Sequence, residues 1–255
     1  MHPSFAFSRV YPTSPRPHRT EYTGKCCPFV PLLPFFSFFL YLYKKATKAM
    51  VAVENLAEYL LAQIKTKDVV RVSASEAEYL DIAPEFPGKL DYHNGEIIAI
   101  SLATAFHELV VSGINRLLAN YYFDKDFLVT SSNAGLQILR PDGNYYQPDL
   151  MVTQGEWVFK PGSACIITNP YLLVEVLSPS TMKYDKEDKL EYYKELPSLN
   201  YVVYAAQSRP YLTIYERTDQ PDVWLNTDYR TLDSVAKLGD LTLPLNEIYH
   251  KIKFP

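Results

Sequence analysis

The sequence predicts one α/β or α+β domain, a mixed sheet covered by helices, and three observations carry that expectation. Two runs, Gln147–Thr153 and Tyr171–Ser178, read as strands, the second nearly continuously apolar and therefore covered on both faces. Between Lys89 and Ser101 an Asn94-Gly95 pair separates two alternating runs, the strongest short signal for a hairpin. Segments with helical spacing lie before and after these strands, as a helix-covered sheet requires.

In chain order, Leu56, Leu60, Leu61 and Ile64 recur at helical spacing, and Ser75-Glu76-Ala77-Glu78 has the form of a helix start. The hairpin over 89–101 follows. A longer helix is expected from about Ala105 to Tyr121, with Phe106, Val110, Ile114, Leu117, Leu118 and Tyr121 as its buried stripe. Leu136–Arg140 alternates as a strand and reaches a turn at Pro141-Asp142-Gly143-Asn144. After the two apolar runs, Ser180, Thr181 or Asp185 is expected to cap a helix running to about Leu196, which Pro197 ends. Tyr201–Ala205 and Leu212–Tyr215 then form a further strand pair.

Glu175 is the residue that asks for an explanation, because it lies in the middle of the apolar run over 171–178. Removing an ionised carboxylate from water costs several kcal/mol on the order expected for buried ions, so such a residue is paired or binds a metal. By strand period Asp149, Met151 and Thr153 share one face, and Leu173, Glu175 and Leu177 share another. If the strands are neighbours, Asp149 and Glu175 converge. Two convergent carboxylates form a hard oxygen site suited to Mg²⁺ or Mn²⁺, ions that keep several waters and bind phosphate oxygens. On the helix that follows, Lys189 is four residues from both Asp185 and Tyr193. A lysine there can hold a water or a phosphate over the end of the Glu175 strand, or can simply form a surface pair with Asp185.

The order of these segments resembles the Uma2 family of restriction endonuclease-like proteins: Pro148-Asp149, then Val174-Glu175-Val176-Leu177-Ser178-Pro179-Ser180-Thr181, then Asp185, Lys189 and Tyr193 at four-residue steps. The resemblance covers about Ser73 to the C-terminus and is most specific over 171–193. It implies a restriction-endonuclease-like mixed sheet flanked by helices and a PD-(D/E)xK-type endonuclease, with Asp149 and Glu175 as metal ligands. The standard motif has a lysine two positions after the glutamate, where this chain has Leu177; the family pattern moves it to the following helix, which makes it Lys189. Asp149, Glu175 and Lys189 are thus the expected catalytic residues, hydrolysing phosphodiester bonds with one Mg²⁺ or Mn²⁺. The resemblance also points to His107 and to an acidic residue brought toward the metal, Glu96 or Glu108, with Asp185 as a further accessory. Read on their own, His107 is a half-buried helix-start histidine and Glu96 a solvated hairpin residue.

Composition and charge set bounds. A hydrophobic share of 47% over 255 residues suffices for one substantial core. Cys26, Cys27 and Cys165 form no Cys-x-x-Cys pair and the five histidines have no zinc spacing, which argues against a disulfide scaffold or a structural zinc site. No glycine-rich phosphate loop, nucleophile elbow or dinucleotide fingerprint occurs. Residues 1–49 carry +6, so the net charge of −4 leaves −10 for residues 50–255. Residues 1–49 are therefore read as a non-core extension and 50–255 as the nuclease domain. Residues 26–43 are apolar with a Lys44-Lys45 flank, but three prolines interrupt them. The extension is an incorrect start upstream of Met50, a membrane-proximal anchor or a disordered arm. A cytoplasmic location follows if Met50 is the start.

Three function classes stay open: an endonuclease acting on DNA, a nuclease-fold binding module without catalysis, and a membrane-associated accessory protein. The charge of −10 lacks the basic excess that drives counterion release, so binding to DNA should be weak and salt-sensitive. A groove from Arg116, Lys183, Lys186 and Lys189 is the expected contact. Cutting both strands needs two active sites, which makes a homodimer the expected assembly.

Overall fold

Strands and helices alternate along the first half of the chain, and strands dominate the second. The structure is a computed structural model describing residues 55–131, 134–140 and 143–254; the expectations for residues 1–49, for the Met50 start and for residues 26–43 lie outside the described residues. Among the described residues, no helix is long and apolar enough to cross a membrane. The first elements are α1 (Leu56–Ile64), β1 (Val69–Ser73), α2 (Glu76–Ile82), β2 (Lys89–His93), β3 (Glu96–Ile100) and α3 (Ala105–Tyr122). Then come β4 (Phe127–Ser131), β5 (Gly135–Ile138), β6 (Asn144–Tyr146), β7 (Leu150–Gln154), β8 (Ile166–Ile167) and β9 (Pro170–Leu177). A π-helical turn (Tyr184–Lys189) leads directly into α4 (Leu190–Lys194). The chain closes with β10 (Tyr201–Ala206), β11 (Leu212–Arg217), β12 (Trp224–Tyr229), β13 (Val235–Leu238), β14 (Leu241–Pro244) and α5 (Leu245–Ile248).

Two six-stranded sheets result. One has the order β12-β11-β10-β9-β7-β4 and the other β1-β3-β2-β6-β5-β8, with β13 and β14 as a separate pair. In the first sheet β9 runs parallel to β10 and antiparallel to β7, so it is mixed, as expected. All of β9 except Tyr171 is at least nine-tenths buried, which explains its nearly continuous apolar run. Its even-numbered residues Leu172, Val174 and Val176 pack with Val110, Ile114 and Leu118 of α3. Its odd-numbered residues Leu173 and Leu177 face the opposite way, into a layer with Ile98, Ile100, Leu136, Ile138 and Tyr146 of the second sheet and Leu190, Tyr193 and Leu196. Glu175 belongs to that second layer by strand period.

The second sheet was not anticipated as a separate layer. Its β2–β3 hairpin is as expected, with Asn94 and Gly95 both at positive φ in the turn. The far side of the hairpin packs Leu90, Tyr92, Ile97 and Ala99 against Leu60 of α1 and Tyr79 of α2. A capping box of Ser75 and Glu78 starts α2, and Ser75 accepts from the Glu78 N–H while Glu78 reaches back to the Ser75 N–H.

Two helices depart from expectation. In α3, Phe106 is 53% exposed and the buried stripe begins a turn later, at Val110. In the first turn Phe106 faces outward while its neighbour His107 is largely covered. The helix after β9 is entered through Ser178, whose Oγ accepts from the Thr181 N–H, rather than through a cap by Ser180, Thr181 or Asp185. Its first part takes the wider π geometry, and the α-helical part stops at Lys194, two residues before the expected end.

Gly113 of α3 lies against α5, where an added Cβ would stand 2.4 Å from the carbonyl oxygen of Ile248. Overpacking of this kind costs about 1–3 kcal/mol, more than the roughly 0.5–1 kcal/mol that alanine gains over glycine inside a helix. Gly113→Ala should therefore lower stability in urea unfolding. An unchanged midpoint would mean that α5 yields without cost.

Candidate functional site

The chain passes from the second sheet to the first between β6 and β7, and Gln147-Pro148-Asp149 makes the crossing. Gln147 fastens it to β2, its N–H donating to Asp91 Oδ1 at 2.8 Å and its side-chain oxygen accepting from the Leu90 N–H at 2.8 Å. One residue later the β7–β9 register begins at Leu150 opposite Val174, so Asp149 comes level with Glu175 across antiparallel strands. Asp149 Oδ2 also accepts from the Val176 N–H at 2.7 Å. Asp149 and Glu175 thus converge as the strand period predicts.

Their shared partner is Lys89, the first residue of β2. Its Nζ is 3.0 Å from Asp149 Oδ1 and 3.2 Å from Glu175 Oε2. His107 completes this outer half of the site, with Nε2 3.2 Å from Asp149 Oδ2 and Nδ1 3.4 Å from Glu108 Oε1. The other oxygen of Glu175 is held from the interior. Glu175 Oε1 accepts from Lys189 Nζ at 3.0 Å and from the Tyr193 hydroxyl at 2.7 Å. Lys189 Nζ also contacts Asp91 Oδ2 at 3.0 Å and Asp185 Oδ1 at 3.1 Å, beneath the rings of Tyr184 and Tyr146. The Tyr184 hydroxyl donates to Asp91 Oδ2 at 3.2 Å.

Burial differs sharply between the two lysines. Lys189 has 0% side-chain exposure, whereas Lys89 keeps 24% and Glu175 has 1%. Burial penalises both ammonium groups, but Asp149 and Glu175 outweigh it at Lys89, and Asp91, Glu175 and Asp185 outweigh it at Lys189. Both lysines are held above the ordinary lysine range and are charged at neutral pH. Burial would likewise raise Asp149, yet Lys89, the His107 hydrogen bond and the Val176 N–H hold it below the usual carboxylate range. Burial pushes Glu175 up, with Lys189 and Lys89 opposing the shift. Burial alone would lower His107, but its hydrogen bond to Asp149 and the charge of that carboxylate raise it.

Of the residues expected from sequence, Asp149, Glu175, Lys189, Asp185 and His107 belong to one connected cluster. Glu96 sits apart from it at the start of β3, 3.5 Å from Arg71, which also bonds Asp188. Lys89, Asp91 and Tyr193's contact with Glu175 were not read as parts of a site. Lys89, Asp91 and His93 alternate with Leu90 and Tyr92, the pattern of a strand with one wet face. The signal that this face is covered lies in the partner strand, where Ile97-Ile98-Ala99-Ile100 is apolar on both faces.

The donor set suits a hard cation. Asp149 Oδ1 and Glu175 Oε2 already share one positive group, the Lys89 ammonium, and both are carboxylate oxygens. No cluster of three or more His, Cys, Asp and Glu side chains fit to hold a metal occurs among the described residues. Mg²⁺ fits such a pair, since it is commonly held by one or two carboxylates with water and phosphate oxygens completing the shell.

Because Lys189 neutralises buried carboxylates, Lys189→Met should destabilise the fold by about 3–5 kcal/mol, the cost of breaking a buried ion pair on one side. Tyr193→Phe removes a hydrogen bond to a charged acceptor and should cost about 1.5–3 kcal/mol. Guanidinium unfolding tests both, and losses within the roughly 0–1 kcal/mol of a surface pair would refute the buried network. The chain is similar to several known proteins. A protein from Synechocystis sp. (strain ATCC 27184 / PCC 6803 / Kazusa), slr1290, is 30% identical over 181 residues, covering 71% of this chain and 93% of that protein. A second from the same organism, sll1609, is 35% identical over 123 residues, 48% of this chain and 69% of that protein. Among solved structures, a "putative nuclease belonging to DUF820" from Anabaena variabilis ATCC 29413 matches with a TM-score of 0.56 and 15% identity. That match covers 68% of this chain and 96% of the other, and shows a shared fold. The Uma2 family model, described as "Putative restriction endonuclease", matches residues 76–246, and the chain belongs to the Uma2 family.

Proposed function

We propose that the protein is a metal-dependent endonuclease that hydrolyses phosphodiester bonds in DNA. The observation that carries this reading is the convergence of Asp149 Oδ1 and Glu175 Oε2 on one cation seat, at the partly exposed side of an otherwise buried cluster. Family membership and the nuclease fold support it. A bound Mg²⁺ or Mn²⁺ would polarise the scissile phosphate and lower the pKa of the attacking water.

The chain's own residues divide the remaining work. Asp149 and Glu175 present the two oxygens, fixed by the Val176 N–H on one side and by Lys189 and Tyr193 on the other. His107 orients Asp149 through Oδ2 and leaves Oδ1 turned to the seat. Lys189 is enclosed by Asp91, Glu175 and Asp185, so in this reading it holds Glu175 in place rather than touching water or phosphate. Lys89 is the cation at the exposed side.

The wider surface gives DNA little electrostatic help. Arg116 pairs with Glu247 and Lys183 with Glu187, which leaves few of the groove cations expected from sequence unpaired. Binding to DNA should therefore be weak and, with few phosphate contacts, only modestly dependent on salt.

Nicking of supercoiled plasmid by the full chain in Mg²⁺, Mn²⁺ or EDTA tests the proposal. Asp149→Asn and Glu175→Gln keep the side-chain shapes and should each reduce the rate by about 10²-fold or more, with folding followed by circular dichroism. EDTA-resistant nicking, or equal nicking by folded variants, would refute the assignment. No nicking by the folded wild type on DNA would favour a binding module.

A further inference from the structure

We infer that Lys89 is a tethered placeholder: its ammonium occupies the seat of the divalent ion in the unloaded protein and must leave both carboxylates for the ion to bind. This rests on the metal-dependent reading of the site. Lys89 Nζ lies between Asp149 Oδ1 and Glu175 Oε2, the two oxygens available to a cation. The other two oxygens are committed elsewhere, Asp149 Oδ2 to Val176 and His107 and Glu175 Oε1 to Lys189 and Tyr193. An ammonium and a divalent ion therefore compete for one pair of oxygens.

The two lysines of the cluster differ in whether they can move. Lys189 is wholly enclosed and contacts three carboxylates, so its departure would leave Asp91, Glu175 and Asp185 buried together. Lys89 contacts two, stands at the first position of β2 and is 24% exposed, so its flexible stem can carry the ammonium to solvent without opening the fold. Exchange is also favourable in charge. Among the described residues Asp91, Asp149, Glu175 and Asp185 pair with Lys89 and Lys189, apart from His107 beside Asp149, and a dication in place of Lys89 offsets more of that negative charge.

The function of such a device is to keep Asp149 and Glu175 together without metal and to set the metal concentration at which the site loads. When the seat is free in only a small fraction of molecules, the apparent Kd for the ion is weakened by the inverse of that fraction. A seat filled by Lys89 in about nine molecules of ten weakens binding about tenfold.

Two measurements on the full chain test this. In lysine ammonium ¹⁵N NMR of the wild type, Lys89 and Lys189 should give protected signals, with that of Lys89 identified by its loss in Lys89→Arg. Saturating Mg²⁺ should shift or abolish the Lys89 signal and leave that of Lys189. By calorimetry, Lys89→Met should bind Mn²⁺ on the order of tenfold more tightly than wild type, while Asp149→Asn should bind more weakly. A Lys89 signal unmoved by Mg²⁺ that calorimetry shows to be bound would overturn the placeholder and leave the metal site standing. Equal or weaker Mn²⁺ binding by folded Lys89→Met would do the same. Should that variant not fold, the wild-type NMR result decides. Absence of Mg²⁺ and Mn²⁺ binding in both folded proteins would remove the metal site and the placeholder together.

Discussion

The burial of Glu175 is the constraint on which the rest of the structure depends. A carboxylate at the centre of a covered sheet survives only if each oxygen is matched, and here the two oxygens are matched from opposite sides. Oε1 turns inward to Lys189 and Tyr193, which come from the turn and helix after β9. Oε2 turns outward to Lys89, which comes from the other sheet. One side chain thereby links the packing of the helix, the pairing of the strands and the face-to-face contact of the sheets.

The division also separates an enclosed half of the cluster from a partly exposed one. The inner lysine draws on Asp91 and Asp185 as well as Glu175, and Tyr204 reaches the Asp185 carbonyl at 2.7 Å to anchor the turn that carries it. The wider π turn over Tyr184–Lys189 places Asp185 and Lys189 at one step along the helix, so that both point into the layer between the sheets. The outer half has fewer partners and more solvent. Under the proposed exchange the cation changes on one side while the other side continues to hold the fold.

Much of this was legible from residue spacing. The strand period placed Asp149 and Glu175 on convergent faces, and the β7–β9 register bears that out. The Asn94-Gly95 turn and the four-residue step from Asp185 to Lys189 also appear as expected. Lys89 and Asp91 escaped notice because alternation shows that a strand has two unlike faces and not which face is wet. Only a second sheet laid over the polar face makes those residues interior, and sheet-to-sheet contact has no local period in the sequence. Phe106 failed for the related reason that helical spacing defines a stripe but not where its supporting sheet ends.

The crossing at Gln147-Pro148-Asp149 ties the cluster to the joining of the two sheets. Gln147 is bonded to β2 in one sheet, and two residues later Asp149 is bonded to β9 in the other. Neither sheet alone contains the whole cluster: one supplies Lys89 and Asp91, the other Glu175. A chain with only one of the two sheets formed therefore lacks the complete cluster. The same holds for a chain whose layers have come apart, so the cluster exists only where the two sheets are joined.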